Sequence, residues 1–170
     1  GFGTEKIADE FKSNNDDYSA IMIKILADRL AEAFAEYLHE LVRKDYWGYS
    51  PDESIDIDRM FQEKYQGIRP APGYPACPDH TEKITLFEML NVTDNTGISL
   101  TESCAMMPAA SVSGWYFSHP ESAYFNLGKI QKDQIVDYAD RKNISISMAE
   151  KILNQNLNYS PEIRVELTES

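Results

Sequence analysis

The sequence predicts an α+β fold in which a long amphipathic helix packs with a small antiparallel β-sheet and short flanking helices. The main observation is a stretch from residue 18 to about residue 44. It lacks proline and glycine and repeats apolar residues every three or four positions, which is the period of a helix. Short segments rich in β-forming residues follow between residues 99 and 130, where turn residues separate them. Helical patterns lie before and after these segments, so we expect a small sheet flanked by helices.

Size and composition restrict the class of protein. With 170 residues the chain has the length of one domain or part of one, and 42% apolar residues suffice for a buried core. A formal net charge of -12 argues against a nucleic acid or an anionic membrane surface as the partner. No apolar run reaches the length of a membrane span, and no signal-peptide pattern opens the chain. Two cysteines are too few for a disulfide framework, so we expect a cytoplasmic protein.

The amino-terminal part is predicted to be helical, with breaks marked by turn residues. Residues 4–13 carry a short helical pattern, and the polar residues 14–17 supply a break and a cap for the next helix. The long helix over residues 18–44 ends before Gly48, which is a typical helix stop. A short helix is predicted over residues 56–66.

A proline-rich ribbon at residues 67–78 separates these helices from the predicted sheet. Its four prolines remove amide donors and exclude a helix or a central strand. Helical spacing returns at residues 80–90. Three antiparallel strands are then predicted at residues 99–106, 112–118 and 124–130.

The carboxyl-terminal part closes with two predicted helices, at residues 132–142 and 147–155. The second has a Ser-x-x-Glu pattern, so Ser147 and Glu150 are predicted to form a capping box. Residues 159–170 are polar and expected to be frayed. The whole chain is interpreted as a single domain or a partial domain.

The ribbon has the chemistry of a small-ligand site. Its prolines hold the remaining backbone polar groups of Ala71, Gly73 and Tyr74 rigid, and the glycine lets the backbone approach a ligand closely. Arg69 adds a planar, permanently charged fork that suits a carboxylate. Together these residues suit an amino-acid-like ligand. The alternative is an ordinary crossover loop in which Arg69 is exposed or paired with one of the many acids.

A second candidate is a row of acids on the long helix. Asp28, Glu32, Glu36 and Glu40 recur at intervals of four, so they share one helix face. This row is interpreted either as a solvated face or as a docking surface for a cationic or histidine-bearing partner.

Two cysteines and two histidines give a weaker signal. Cys77, His80, Cys104 and His119 would in principle supply two thiolates and two imidazoles for zinc, but only Cys77 and His80 are close in sequence. A Cys77 nucleophile with a histidine base is a further alternative, which no glycine-framed elbow supports.

A third candidate lies at the start of the last predicted strand. The turn at residues 118–123 would set Tyr124 and Phe125 within reach of an adenine-sized ring.

The ribbon also resembles a known family. Its run RPAPGYPACP at residues 69–78, followed by HTEK at residues 80–83, is similar to the S-adenosylmethionine-binding signature in the C-terminal activation domain of cobalamin-dependent methionine synthase. Three other segments resemble the same family in the same order, at residues 27–36, 111–120 and 133–139. Several ordered segments are more specific than any single motif.

This resemblance implies roles for the candidate residues. Arg69 would hold the methionyl carboxylate, while the backbone around Ala71, Gly73 and Tyr74 frames the ligand. Tyr124 and Phe125 would bound its adenosyl end. Glu63 matches an acid near the sulfonium, and Asp28 and Glu32 match acids that contact the cobalamin domain.

The resemblance also implies a function. The module would bind S-adenosylmethionine and present its methyl group to cobalamin held by a neighbouring domain, after one-electron reduction by a flavodoxin-type reductase. The family's domain is longer than this chain and carries a further ligand-binding acid upstream of the position of Gly1, so no complete active site is expected here and no turnover by the chain alone. The alternative is a non-catalytic docking module that contacts a cobalamin domain or reductase through its acidic helix without binding ligand.

Overall fold

An α-helical framework with one small antiparallel hairpin makes up the fold. The structure is a computed structural model and describes residues 1–161. Its helices are α1 (Thr4–Ser13), α2 (Asp17–Leu41), α3 (Ile57–Phe61), α4 (Glu82–Met89), α5 (Val92–Thr96), α6 (Lys132–Lys142) and α7 (Ile146–Ile152). Its strands are β1 (Ser99–Leu100) and β2 (Met106–Met107). Within residues 1–161, no helix is both long and apolar enough to cross a membrane. The predicted fold class is confirmed.

Helices α1 and α2 pack against each other as an antiparallel pair. The polar break between them provides the cap of α2, because the Asp16 carboxylate accepts a hydrogen bond from the Ser19 amide at 2.9 Å. The small residues Ala8 and Ala20 are buried, so the two helix backbones can approach closely. An ion pair between Lys24 and Glu5, 2.6 Å apart, joins their surfaces.

The end of α2 widens into a π-helical turn over Val42–Tyr46. This turn carries Arg43, which is fully buried. The Arg43 Nε and Nη2 atoms each donate to one carboxylate oxygen of Glu53 at 2.8 Å. The guanidinium also lies 3.9 Å from the centre of the Tyr65 ring. Arg43 therefore ties the loop after α2 to the segment that leads into the ribbon.

The prediction of one strand over residues 99–106 is wrong. This segment folds back on itself, so β1 and β2 pair antiparallel with Ser99 opposite Met107 and Leu100 opposite Met106. Residue Thr101 closes the turn, because its backbone carbonyl accepts from the Cys104 amide at 2.9 Å. Cys104 completes this tight turn with a backbone in the left-handed region, at φ 59°. The apolar pattern of the sequence does not reveal such a turn.

The predicted strands at 112–118 and 124–130 are also wrong as strands. The first pairs with the ribbon where Ile68 and Phe117 exchange two backbone hydrogen bonds of 3.0 Å, and the Trp115 amide adds one bond of 3.0 Å to the Pro70 carbonyl. The second meets it where the Leu127 amide donates to the Pro75 carbonyl at 3.2 Å. Because the ribbon prolines have no N–H to donate, neither contact extends into a ladder.

The carboxyl-terminal helices enclose a small apolar core. Its buried members are Ile130, Ile135, Ala139, Ala149, Leu153 and Leu157. The predicted capping box is wrong, because α7 begins earlier than expected. The Ser145 hydroxyl accepts from the Met148 amide at 3.1 Å and caps the helix in place of Ser147.

The Glu150 side chain, predicted to cap α7, has other partners. It accepts hydrogen bonds from Lys132 Nζ at 2.6 Å and from Tyr159 Oη at 2.9 Å. Tyr159 is thereby held against α7. Residues 162–170, most of the segment expected to be frayed, lie outside the described residues.

Candidate functional site

The side chain of Arg69 lies at the centre of the candidate site, against one face of α2. Its Nη1 atom donates to the Ala35 carbonyl at 3.4 Å and contacts His39 Nδ1 at 3.3 Å. Its Nη2 atom donates to Glu36 Oε2 at 3.2 Å. Since His39 follows Ala35 by four residues and Glu36 by three, one side of the helix supplies all three acceptors. The side chain of Arg69 is therefore paired with an acid of α2, which is one of the alternatives that the sequence left open.

This arrangement leaves part of the Arg69 guanidinium available. Within residues 1–161, its Nε–H has no acceptor at hydrogen-bond distance. The Nε–H and one Nη2–H of an arginine form the edge that binds a carboxylate bidentately. The same chain uses this edge of Arg43 to hold Glu53. The contacts of Arg69 with α2 therefore leave the Nε–H on this edge without a partner among the described residues.

The ribbon reverses direction immediately after Arg69. The Gly73 amide donates to the Cys77 carbonyl at 2.7 Å, and the Cys77 amide donates to the Tyr74 carbonyl at 2.8 Å. The Tyr74 amide faces back to the Ala71 carbonyl at 3.4 Å. The Tyr74 ring is exposed. The turn thus presents an aromatic side chain to solvent beside a rigid backbone.

Gly73 makes this turn possible. Its φ is 96°, and a Cβ there would lie 2.2 Å from the ring of His80. The ring is held in place, since Lys83 Nζ lies 2.8 Å from His80 Nδ1. A side chain at residue 73 would therefore meet both backbone strain and a steric clash.

We expect Gly73→Ala to weaken ligand binding and to lower the free energy of unfolding by at least about 1 kcal/mol, the cost of an alanine at positive φ. The clash with His80 adds to that strain. Gly3→Ala is the matched control, because Gly3 has φ 85° and nothing within 4 Å of its Cβ position. Urea denaturation and calorimetric titration measure the two effects. Equal losses of stability and of affinity in both variants would show that the clash with His80 does not contribute to the effect of Gly73→Ala.

Tyr124 connects the last predicted strand to the ribbon. Its hydroxyl oxygen accepts a hydrogen bond from the Arg69 amide at 2.8 Å. Burial raises the pKa of Tyr124, and the nearby carboxylate of Glu63 adds to the increase. The structure thereby joins Tyr124 to the backbone of Arg69. Phe125 is largely exposed beside them.

A cluster of buried polar residues lies beneath Arg69. His39 is fully buried between the rings of Tyr65 and Tyr116, whose centroids lie 5.1 and 5.0 Å from its own. Burial, together with the charges of Arg43 and Arg69, lowers the pKa of His39 to about 3. The imidazole is therefore neutral at ordinary pH.

The acidic row on α2 divides into two groups. Asp28 and Glu32 are exposed, and Glu32 pairs with Arg29 at 2.7 Å. Glu36 turns toward Arg69, whereas Glu40 pairs with Lys44 at 3.3 Å. Glu36 pairs with Arg69, and Glu40 pairs with Lys44. Asp28 and Glu32 are therefore the two acids of this row that remain candidates for an exposed docking surface.

The cysteine and histidine residues do not assemble into a catalytic or metal centre. Burial raises the pKa of the Cys77 thiol, and nearby carboxylates raise it further, which disfavours a nucleophilic thiolate. Across residues 1–161, no three His, Cys, Asp or Glu side chains form a group that could hold a metal ion. Asp79 is instead buried and accepts hydrogen bonds from Tyr138 and Lys142.

A cavity of about 260 Å³ adjoins Arg69 on the side of α2. It is lined by the apolar side chains of Phe34, Leu38 and Val112, and by the polar groups of Ser113 and Tyr116. Of the residues predicted to bind a ligand, Arg69 alone belongs to its lining. The ribbon and Tyr124 therefore form a shallow outer face, and the cavity lies beside it.

Sequence reasoning missed the supporting residues of this site. Glu36 was assigned to the acidic row, and His39 and Tyr116 were not proposed for any role. Their signal was the helical spacing of residues 35, 36, 39 and 43, which places a carbonyl, an acid and a histidine on one side of α2 and an arginine in the π-helical turn that continues it. That face becomes recognisable only when Arg69 is known to lie against it.

Both the sequence and the fold of the chain match known proteins. Residues 1–143 match the family described as vitamin B12 dependent methionine synthase, activation domain. The fold is similar to a crystal structure of the MetH reactivation domain bound to AdoHcy, with 59% sequence identity and a TM-score of 0.91. That match covers 94% of this chain and 49% of the other, so this chain spans about half the length of that domain.

Proposed function

The chain belongs to the activation-domain family of vitamin B12-dependent methionine synthase, and we propose that it binds S-adenosylmethionine for the reactivation of that enzyme. The ligand would lie on the open face formed by Arg69, the ribbon and Tyr124. The observation that carries this proposal is the Nε–H of Arg69, which has no acceptor among residues 1–161. The Tyr124 hydroxyl accepts from the backbone amide of the same residue. The S-adenosylhomocysteine (AdoHcy) bound in the related MetH structure supports the same ligand class.

The proposed contacts follow the chemistry of the ligand. Arg69 binds the carboxylate, and the backbone of Ala71, Gly73 and Tyr74 frames the methionyl part. Tyr124 and Phe125 bound the adenosyl group, because exposed aromatic rings offer apolar faces for stacking. Glu63 lies on the same side as Tyr124 and would stabilise the sulfonium cation by charge attraction.

The open face also suits transfer of the methyl group. A reactive carbon must stay accessible so that the acceptor can approach in line with the breaking C–S bond. Cobalamin held by a neighbouring domain would, after one-electron reduction by a flavodoxin-type reductase, supply the nucleophile that takes the methyl group, and S-adenosylhomocysteine would be the leaving group. The residues of this chain bind and orient the donor, and they supply no complete active site. A cytoplasmic setting, which the two free cysteines favour, belongs to the same proposal.

Calorimetric titration of the chain with S-adenosylhomocysteine tests the proposal. The comparison ligand is 5′-methylthioadenosine, which keeps the adenosyl group and lacks the amino-acid part. We expect saturable binding of the first ligand and weaker binding of the second, because only the first contacts Arg69. Equal affinities would refute the role of Arg69, and a folded chain that binds neither would refute ligand binding by this chain.

The proposed docking surface for the cobalamin domain consists of the exposed acids Asp28 and Glu32. Their exposure on α2 also favours the second candidate function, a module that docks without ligand. Both candidate functions use the docking surface formed by Asp28 and Glu32, but only the first includes binding of S-adenosylmethionine.

We expect Glu32→Lys to weaken binding to an isolated cobalamin-binding domain about tenfold, because it replaces an attraction by a repulsion across the interface. The affinity for S-adenosylhomocysteine should stay unchanged. Glu102→Lys, in the exposed turn between β1 and β2, is the control for net charge. Surface plasmon resonance measures docking at low and moderate salt. An equal effect of both variants would assign the change to overall charge.

A further inference from the structure

Buried His39 has no role in the proposed ligand contacts, yet it touches the residue on which they depend. Its Nδ1 atom lies 3.3 Å from Arg69 Nη1, and its Nε2 atom lies 3.3 Å from Tyr49 Oη. The side chain has no exposed surface. The imidazole is thus enclosed between a guanidinium and a phenol.

The partner of Nδ1 fixes the tautomer of His39. A guanidinium has five N–H donors and no acceptor, so the contact with Arg69 requires a lone pair on Nδ1. The proton of the neutral ring is then on Nε2, where it donates to the Tyr49 hydroxyl oxygen. Arg43 and Arg69 both face the ring and disfavour its protonated form.

The surroundings also fix the orientation of the ring. The Tyr65 ring meets it edge to face, at an interplanar angle of 83°, and the Tyr116 ring lies tilted at 31°. With two aromatic rings against it and both nitrogens paired, the imidazole presents its Nδ1 lone pair in one direction. That direction is toward Arg69.

We propose that His39 is a positioning residue, whose Nδ1 lone pair holds the Arg69 guanidinium so that its Nε and Nη2 edge faces the ligand carboxylate. This inference deepens the proposed function and rests on it. Glu36 Oε2 holds Nη2 from the same helix face, 3.2 Å away. Without the Nδ1 contact, the guanidinium keeps only its bonds to the Ala35 carbonyl and to Glu36, so it is less restrained and the ligand carboxylate would have to order it further on binding.

The test compares two substitutions of His39 with two ligands. His39→Leu removes the acceptor, so we expect the affinity for S-adenosylhomocysteine to fall about tenfold. The affinity for 5′-methylthioadenosine should stay within about twofold, because this ligand has no carboxylate. His39→Asn should restore most of the lost affinity, since its Oδ1 lies near the position of Nδ1 and can accept from Arg69.

A control separates positioning from stability. Ile135→Val removes one methyl group from the carboxyl-terminal core and should lower the unfolding temperature without changing the ratio of the two affinities. Nitrogen-15 NMR of the imidazole provides a measurement without ligand. We expect an unprotonated Nδ1 and a protonated Nε2 in the wild-type chain.

The outcomes distinguish this inference from the proposed function. If the wild-type chain binds neither ligand, the proposed function fails and the role of His39 fails with it. If it binds both but His39→Leu weakens both equally, the proposed function stands and His39 is merely structural. A proton on Nδ1 would overturn the positioning role directly, because that nitrogen could not then accept from Arg69.

Discussion

Replacing Arg69 by alanine is expected to weaken S-adenosylhomocysteine binding by about 1.5–3 kcal/mol, or roughly 10- to 150-fold. The substitution removes a bidentate, charge-assisted contact with the ligand carboxylate. Arg69→Lys should lie between wild type and Arg69→Ala, because an ammonium keeps the charge and lacks the planar fork. Calorimetric titration at fixed salt measures all three affinities.

Two controls define what this result means. Arg69→Ala leaves the carboxylate of Glu36 without its cation in a partly buried position, which lowers stability by itself. Combining it with Glu36→Gln removes both charges and separates ligand binding from that effect. Arg29→Ala removes an exposed arginine of α2 and should leave the affinity unchanged. Unchanged affinity in Arg69→Ala would exclude the site as described.

The largest effect on stability is expected at Arg43. Arg43→Ala should lower the free energy of unfolding by about 3–5 kcal/mol, because it leaves the Glu53 carboxylate buried without a partner. The side chains of Arg43 and Glu53 are 0% and 6% exposed, so water cannot replace the lost contact. The substitution also removes the contact of the guanidinium with the Tyr65 ring. Urea denaturation followed by circular dichroism measures the change.

A surface pair of the same chemistry is the matched control. Arg141 and Asp137 lie 2.7 Å apart on α6, with side chains that are 70% and 65% exposed. Arg141→Ala should therefore cost no more than about 0.5 kcal/mol. Arg43→Lys keeps the charge and loses the bidentate geometry, so we expect an intermediate loss. If Arg43→Ala lowered the free energy of unfolding as little as Arg141→Ala does, burial would not explain a stabilising effect of the Arg43–Glu53 pair.

Local patterns were sufficient for the helices. The apolar spacing of residues 18–44 and the polar break before it predicted α2 and its cap, because both depend on residues a few positions apart. The same holds for α6, whose predicted bounds of 132–142 match the structure. The prediction that Ser147 caps α7 was wrong. Both Ser145 and Ser147 are suitable capping residues, but Ser145 has the extended backbone of an N-cap and its side chain makes the capping bond.

Strand predictions failed because a strand needs a partner with free donors and acceptors. Residues 112–118 and 124–130 have the composition of strands, yet both lie beside the proline-rich ribbon. The prolines at residues 70, 72, 75 and 78 have no N–H, so Pro70 accepts from the Trp115 amide but donates nothing in return, and no ladder forms. No property of the two segments themselves reveals which neighbour they will meet.

The sequence by itself determined the family, the helical framework and the chemistry of the ribbon with Arg69. The tertiary structure alone decided what holds Arg69, since Glu36 and His39 lie some thirty residues earlier in the chain. It also decided that Glu36 leaves the exposed acidic row while Asp28 and Glu32 remain in it. The physical reason is that helical period and turn chemistry act between near neighbours, whereas a hydrogen-bond partner is chosen by packing between distant segments.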